Sequence, residues 1–182
     1  MYKKYISVSI VTQMAHLCLL FVLCVLIAQT QANPHRSQST KSTYNHCPKG
    51  WTQLDNYCYI YQSHYRIFAD AESVCNIIGG NLVSINSAKE NALVLELIRE
   101  GAGSIVDTWI GLTDAIEEGD FMWTDGEIVN FRDFADHQPD NGNGGDEDCV
   151  EIESRDDMWH DVPCTDENPF VCIRPVDKKD YH

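Results

Sequence analysis

Gln138, Asp140, Glu147 and Asp161 are the side chains whose types and spacing point to chemistry. They sit in Gln138-Pro139-Asp140 ahead of a glycine-rich run, in Glu147-Asp148-Cys149, and in Trp159-His160-Asp161-Val162-Pro163-Cys164. Carboxylate and amide oxygens aimed at one point from two loops, each braced by a proline and a cysteine, suit a hard cation. Calcium takes six to eight such oxygens at about 2.3–2.6 Å, and binds better as carboxylates accumulate and the loops stiffen. A rival calcium pattern overlaps the same stretch, since Asp136, Gln138, Asp140 and Glu147 fall at the first, third, fifth and twelfth positions of an EF-hand-like loop. It fails in detail: Asn141 occupies the glycine position, Pro139 stiffens the turn, and no helix reads on either side.

This stretch resembles the carbohydrate-recognition domain of C-type lectins, and the resemblance runs from about Cys47 to Ile173. Besides the motifs above it rests on Trp109-Ile110-Gly111-Leu112, on Gly79-Gly80-Asn81-Leu82-Val83-Ser84-Ile85, and on Phe170-Val171-Cys172. The resemblance implies an α+β fold with two helices, short antiparallel sheets, long calcium-binding loops and three disulfides. Gln138, Asp140, Glu147, His160 and Asp161 stand at the family's calcium positions, and Gln138, Asp140, Glu147 and His160 at its sugar-contacting ones. Asp114, Glu118, Asn141 and Asp148 match an auxiliary ion site; the plain alternative for Asp114 and Glu118 is a solvated acidic turn. In that family the bound ion also receives two sugar hydroxyls, and the proline between the loop ligands is cis.

The Gln-Pro-Asp order is associated there with galactose-type ligands, so galactose or N-acetylgalactosamine is the expected sugar. Two departures matter. Asn141 to Gly145 stand where galactose binders commonly carry an aromatic that stacks on the sugar. His160 stands where asparagine is expected, and imidazole is a poor calcium ligand and a good one for zinc or copper. Three outcomes follow: the ring swings away, it touches sugar, or the site takes a softer metal. The first is the expected one, because carboxylate and amide oxygens dominate the shell.

The elements that position these residues begin after a leader. Lys3 and Lys4 precede an unbroken apolar run from Leu17 to Ala28, with small residues Thr30 and Ala32 ahead of Asn33. Residues 1–32 therefore read as a secretory signal peptide, since the run is short of the roughly 20 residues a membrane helix needs. The alternative is an anchor spanning Ile6 to Ala28, which would place Gln13 and His16 in the bilayer. Removal takes two lysines and no acid, so the net charge moves from −15 to −17. That balance opposes nucleic-acid and anionic-membrane partners. Residues 33–46 are polar and read as a flexible leader, 47–174 as one lectin domain, and 175–182 as a tail.

Six cysteines remain after such cleavage, an even count that suits an oxidising compartment but allows 15 pairings. The resemblance selects Cys47 with Cys58, Cys75 with Cys172, and Cys149 with Cys164. Alternating apolar residues from Trp51 to Tyr61 predict a hairpin. Phe68, Ala71, Val74, Cys75 and Ile78 predict an amphipathic helix stopped by Gly79-Gly80. Ser87 and Glu90 form a capping box for a second helix over about 88–99, ended by Gly101 and Gly103. A closing strand pair is expected at about 150–152 and 170–173, with loop from Asp133 to Gly145. Trp109, Trp123 and Trp159 read as core.

No His-Glu-x-x-His, Gly-x-Ser-x-Gly or phosphate-binding glycine loop occurs, so the chain does not read as an enzyme. The expected partners are glycans or glycoproteins, microbial surface sugars among them, met outside the cell. The competing function is a lectin-like domain that binds protein, mineral or ice surfaces without sugar.

Overall fold

The computed structural model describes residues 46–142 and 145–177. The expected signal peptide, all of the leader but His46, Asn143, Gly144 and residues 178–182 of the tail lie outside the described residues. No helix among the described residues is long and apolar enough to cross a membrane.

The chain enters through a hairpin of β1 (Thr52–Leu54) and β2 (Tyr57–Arg66), turning at Asp55, whose φ is 51°. Two helices follow, α1 (Phe68–Ile77) and α2 (Ala88–Ala102), separated by β3 (Asn81–Leu82). The rest is strand and loop: β4 (Thr108–Thr113), β5 (Met122–Trp123), β6 (Cys149–Ile152), β7 (Trp159–Val162) and β8 (Asn168–Pro175).

These strands make one mixed sheet in the order β1-β2-β8-β4-β6-β7, with β3 on β8 and β5 on β4. The short antiparallel pairings expected from sequence are present, and a parallel contact of Trp109 with Phe170 joins them into this one sheet. The expected closing pair is also rearranged. β6 pairs with β4 and β7, while β8 pairs with β2 and β3, so β4 lies between the two strands. Both runs are buried throughout, and burial does not say which neighbour a strand takes.

α2 begins as its capping box requires. The Glu90 N–H donates to Ser87 Oγ at 3.2 Å, and the Glu90 carboxylate receives the Asn86 N–H at 2.7 Å. Its end differs from expectation: Gly101 lies inside the helix, which runs to Ala102 and stops at Gly103 in the left-handed region. Gly101 is there for contact, because a Cβ would overlap the Tyr61 ring.

All three disulfides, Cys47–Cys58, Cys75–Cys172 and Cys149–Cys164, are formed. The core holds Trp109, Trp123 and Trp159, none more than 2% exposed. Trp159 packs edge-on against Trp123, Phe131 and Phe134 at 5.7–5.8 Å, the arrangement ring quadrupoles favour. Its indole N–H reaches Asn91 Oδ1 on α2 at 3.1 Å, and Asn91 donates in turn to Asp133 at 2.6 Å. Asp133 O also receives the Trp159 N–H, so the start of the long loop is pinned to β7 before the site residues begin.

Candidate functional site

β7 delivers Asp161, and the loop between β5 and β6 delivers everything facing it. Trp159 and Asp161 are buried while His160 and Val162 are half-buried, the alternation of a strand with one face turned inward. Beyond Ala135 the chain passes through His137 (φ 73°), a cis Gln138-Pro139 bond, Asn141 (φ 54°) and Gly142 (φ 55°). These turns aim successive backbone N–H groups at β7. Asp161 receives the N–H groups of Asp140 and Asn141 at 2.8–3.1 Å, and Asp140 Oδ1 receives that of Gly142 at 2.9 Å. Asn141 Oδ1 takes the Glu147 N–H at 3.1 Å and so ties the two arms of the loop together.

The product is a cluster in which oxygens of Asp140, Glu147 and Asp161 lie within 4.8 Å of one another. Asp161 is buried and Glu147 half-buried, and both burial and the charges of Asp161 and Asp140 push the Glu147 carboxyl above its ordinary range. Gln138 Oε1 is buried without any hydrogen-bond partner. An acceptor left so costs about 1–3 kcal/mol, and three crowded carboxylates cost more. A cation among the carboxylates relieves their crowding, and an all-oxygen donor set suits a hard one. Gly142 is part of this construction: a Cβ there would strike the Glu147 carboxylate. The sequence placed Gly142 in the loop from Asp133 to Gly145 without assigning it this contact.

His160 goes elsewhere. Its Nε2 lies 3.0 Å from Asp156 Oδ2 and its Nδ1 3.3 Å from Glu153 Oε2. It is therefore absent from the oxygen cluster, although it stands at one of the family's calcium positions, and its ring is turned away, the first of the three outcomes set out above. The reason is the strand itself, because neighbours on β7 point to opposite faces and Asp161 already takes the inward one.

The auxiliary set is partly assembled. Asp114, 4% exposed, accepts the Gly119 N–H at 2.8 Å through Oδ2 and leaves Oδ1 buried without a partner. Its carboxyl is pushed up mainly by burial and further by the charges of Glu118 and Asp148, against the Gly119 hydrogen bond. The Asp148 carbonyl accepts from Thr113 Oγ1 at 2.6 Å and from the Asp114 N–H at 3.1 Å, so the Glu147–Asp148 step joins the two regions. Among the described residues, Asp114, Glu118 and Asp148 do not converge as closely as Asp140, Glu147 and Asp161 do. Asn141, expected as a further auxiliary ligand, has its side-chain oxygen on Glu147.

Known proteins resemble this chain. A family model described as "Lectin C-type domain" matches residues 64–174. The alpha-N-acetylgalactosamine-specific lectin of Patiria pectinifera is 40% identical over 130 residues, 67% of this chain and 76% of that protein. The galactose-specific lectin nattectin of Thalassophryne nattereri is 33% identical over 135 residues, 74% of this chain and 84% of that protein. Among solved structures, the herring type II antifreeze protein superposes with a TM-score of 0.66 at 29% identity, covering 72% of this chain and all of that one.

Proposed function

The chain belongs to the C-type lectin domain family, and on that premise we propose that it binds galactose or N-acetylgalactosamine residues of glycans through a calcium ion held by Gln138, Asp140, Glu147 and Asp161. The observation that carries this reading is the gathering of three carboxylates, Asp140, Glu147 and Asp161, within 4.8 Å of one another, with Gln138, whose Oε1 is buried and unpartnered, on the same loop as Asp140. Calcium would supply the charge that lets this oxygen set stay together and open positions for sugar hydroxyls. The residues themselves do the recognition: Gln138 offers an amide donor, while Asp140 and Glu147 accept hydroxyl protons. The order Gln138-Pro139-Asp140 and the sugars named for the two lectin relatives support galactose-type ligands. Asp114, Glu118 and Asp148 are proposed as a second, weaker cation site, with the unpartnered Asp114 Oδ1 as its support.

Residues 1–32 are proposed as a secretory signal peptide. Three disulfides fit an oxidising compartment, and extracellular glycans, microbial surface sugars among them, are the proposed partners. The reading is of a binding module rather than an enzyme. Retention on galactose-agarose in calcium, with elution by chelator, is the expected result; passage unretained in calcium defeats it.

A second reading has one specific support. Asn141 and Gly142 leave no aromatic platform beside the cluster, and a type II antifreeze protein shares the fold. Under that reading the chain would slow ice growth in a thermal-hysteresis assay while ignoring galactose.

A further inference from the structure

A separate hollow of about 140 Å³ is lined by Tyr57 and Tyr59 of β2, Ser84 and Asn86 ahead of α2, Glu90 in its first turn, and Glu127 after β5. It shares no residue with the carboxylate cluster. Its polar groups are short of donors. Glu90 spends one oxygen on the Asn86 N–H. Among the described residues the Glu127 carboxylate receives only the Tyr57 hydroxyl, at a long 3.5 Å. Ser84 has already given its proton to Asp125 at 2.5 Å. Asn86 Oδ1 is buried with no hydrogen-bond partner. Among the described residues neither Glu90 nor Glu127 has an ion-pair partner, and the neighbouring Lys89 is turned to Asp55 at 3.0 Å.

We infer that this hollow binds the ammonium end of an alkyl chain, the chemistry of a lysine side chain on a partner protein. An ammonium brings three donors and a positive charge, which is what two carboxylates without an ion-pair partner lack. Tyr57 and Tyr59 line the hollow and are of the aromatic type to which such a cation is drawn, and Tyr57 is 37% exposed. A divalent ion fits less well. It needs oxygens crowded around one point, and Glu90, Glu127 and Asp125 do not form such a group, whereas Asp140, Glu147 and Asp161 do. The size also selects a slender chain, since pockets for whole rings or drug-sized ligands run to about 300 Å³ and more. The net charge of −15 favours the approach of a cationic partner.

The test is to titrate the calcium-saturated full chain with Nα-acetyl-lysine methylamide and, separately, with Nα-acetyl-norleucine methylamide, whose side chain lacks the ammonium, following tyrosine ring signals by NMR. The lysine probe should shift Tyr57 and Tyr59 saturably and the norleucine probe should not. Glu127→Gln, at an exposed position where folding is not at risk, should weaken the lysine probe roughly tenfold while galactose retention stays unchanged. Asp140→Ala should leave the lysine response intact. The inference is overturned by no response, by an equal response to norleucine, by indifference to Glu127→Gln, by loss of the response in Asp140→Ala, or by calcium itself displacing the lysine probe from the tyrosines. Its failure is separate from that of the sugar reading, because galactose retention is scored on the same variants.

Discussion

Trp159 and Asp161 are two residues apart on one short strand and both are buried, yet the regions they face follow opposite rules. Trp159 has its own demands met inside the protein: its ring touches three aromatics edge-on and its indole N–H has Asn91, and the one unmet group beside it is the neutral Trp123 indole N–H. Around Asp161 the demands exceed what the chain supplies. Like charges are gathered with Asp140 and Glu147, burial raises the Glu147 carboxyl, and Gln138 Oε1 has no donor. The difference teaches where stability and function are kept. The Trp159 side holds the fold together, and the Asp161 side carries unmet electrostatic cost that a ligand can relieve.

If that division is right, damage to the first side should unfold the protein and damage to the second should not. Trp159→Ala is expected to have the largest effect, on the order of 3–5 kcal/mol of lost stability. Chemical denaturation should show it with or without calcium, and galactose retention should fall with the fold. A melting curve close to the parent's would show that the aromatic cluster is not where stability resides.

Glu147→Ala tests the other side. Calcium-dependent retention on galactose should be abolished, while the melting temperature in chelator should stay the same or rise, because one of three crowded carboxylates is gone. The parent's melting temperature should climb with calcium as a ligand that binds only the native state dictates, and the variant's should not. A variant that melts far below the parent in chelator would mean the cluster is structural.

Glu151 sharpens the comparison, since it is a carboxylate on the core side. Burial, then the charge of Asp107, pushes its carboxyl up to about 8 against the hydrogen bond from Asn168 Nδ2. The folded form holds the proton more tightly than the unfolded chain, so the stability linked to it is fully present below the ordinary glutamate range and is lost as pH rises through about 8. Glu151→Gln should remove that loss and, at pH 9, make the variant more stable than the parent by on the order of a few kcal/mol. Denaturation at pH 6 and pH 9 checks the sign; an identical decline in both proteins would show that Glu151 does not titrate in this window.

The smallest expected effect is that of His160→Ala. With the ring directed to Glu153 and Asp156, calcium-dependent galactose retention should change by about twofold at most, in keeping with a half-buried side chain outside the cluster. Loss of retention would return His160 to the site.

Much of this was readable along the chain wherever the signal was local. The capping box at Ser87 and Glu90 and the stop after α1 at Gly79-Gly80 are written within a few residues, and the structure has both. The Gln138-Pro139-Asp140 and Glu147-Asp148-Cys149 stretches pointed to oxygen ligands because residue type alone limits which metals suit them. The lectin resemblance supplied the disulfide pairing and fold class, which spacing by itself left open among 15 arrangements. What tertiary structure alone decided is every choice among distant partners. β4 rather than β6 became the neighbour of β8, Gly101 served Tyr61 rather than a helix end, and Asn141 bound Glu147. His160 was decided by which face of β7 was already taken. The physical reason is range: capping and turn preferences act over three or four residues, whereas burial, strand pairing and an unpartnered oxygen exist only after remote segments have packed.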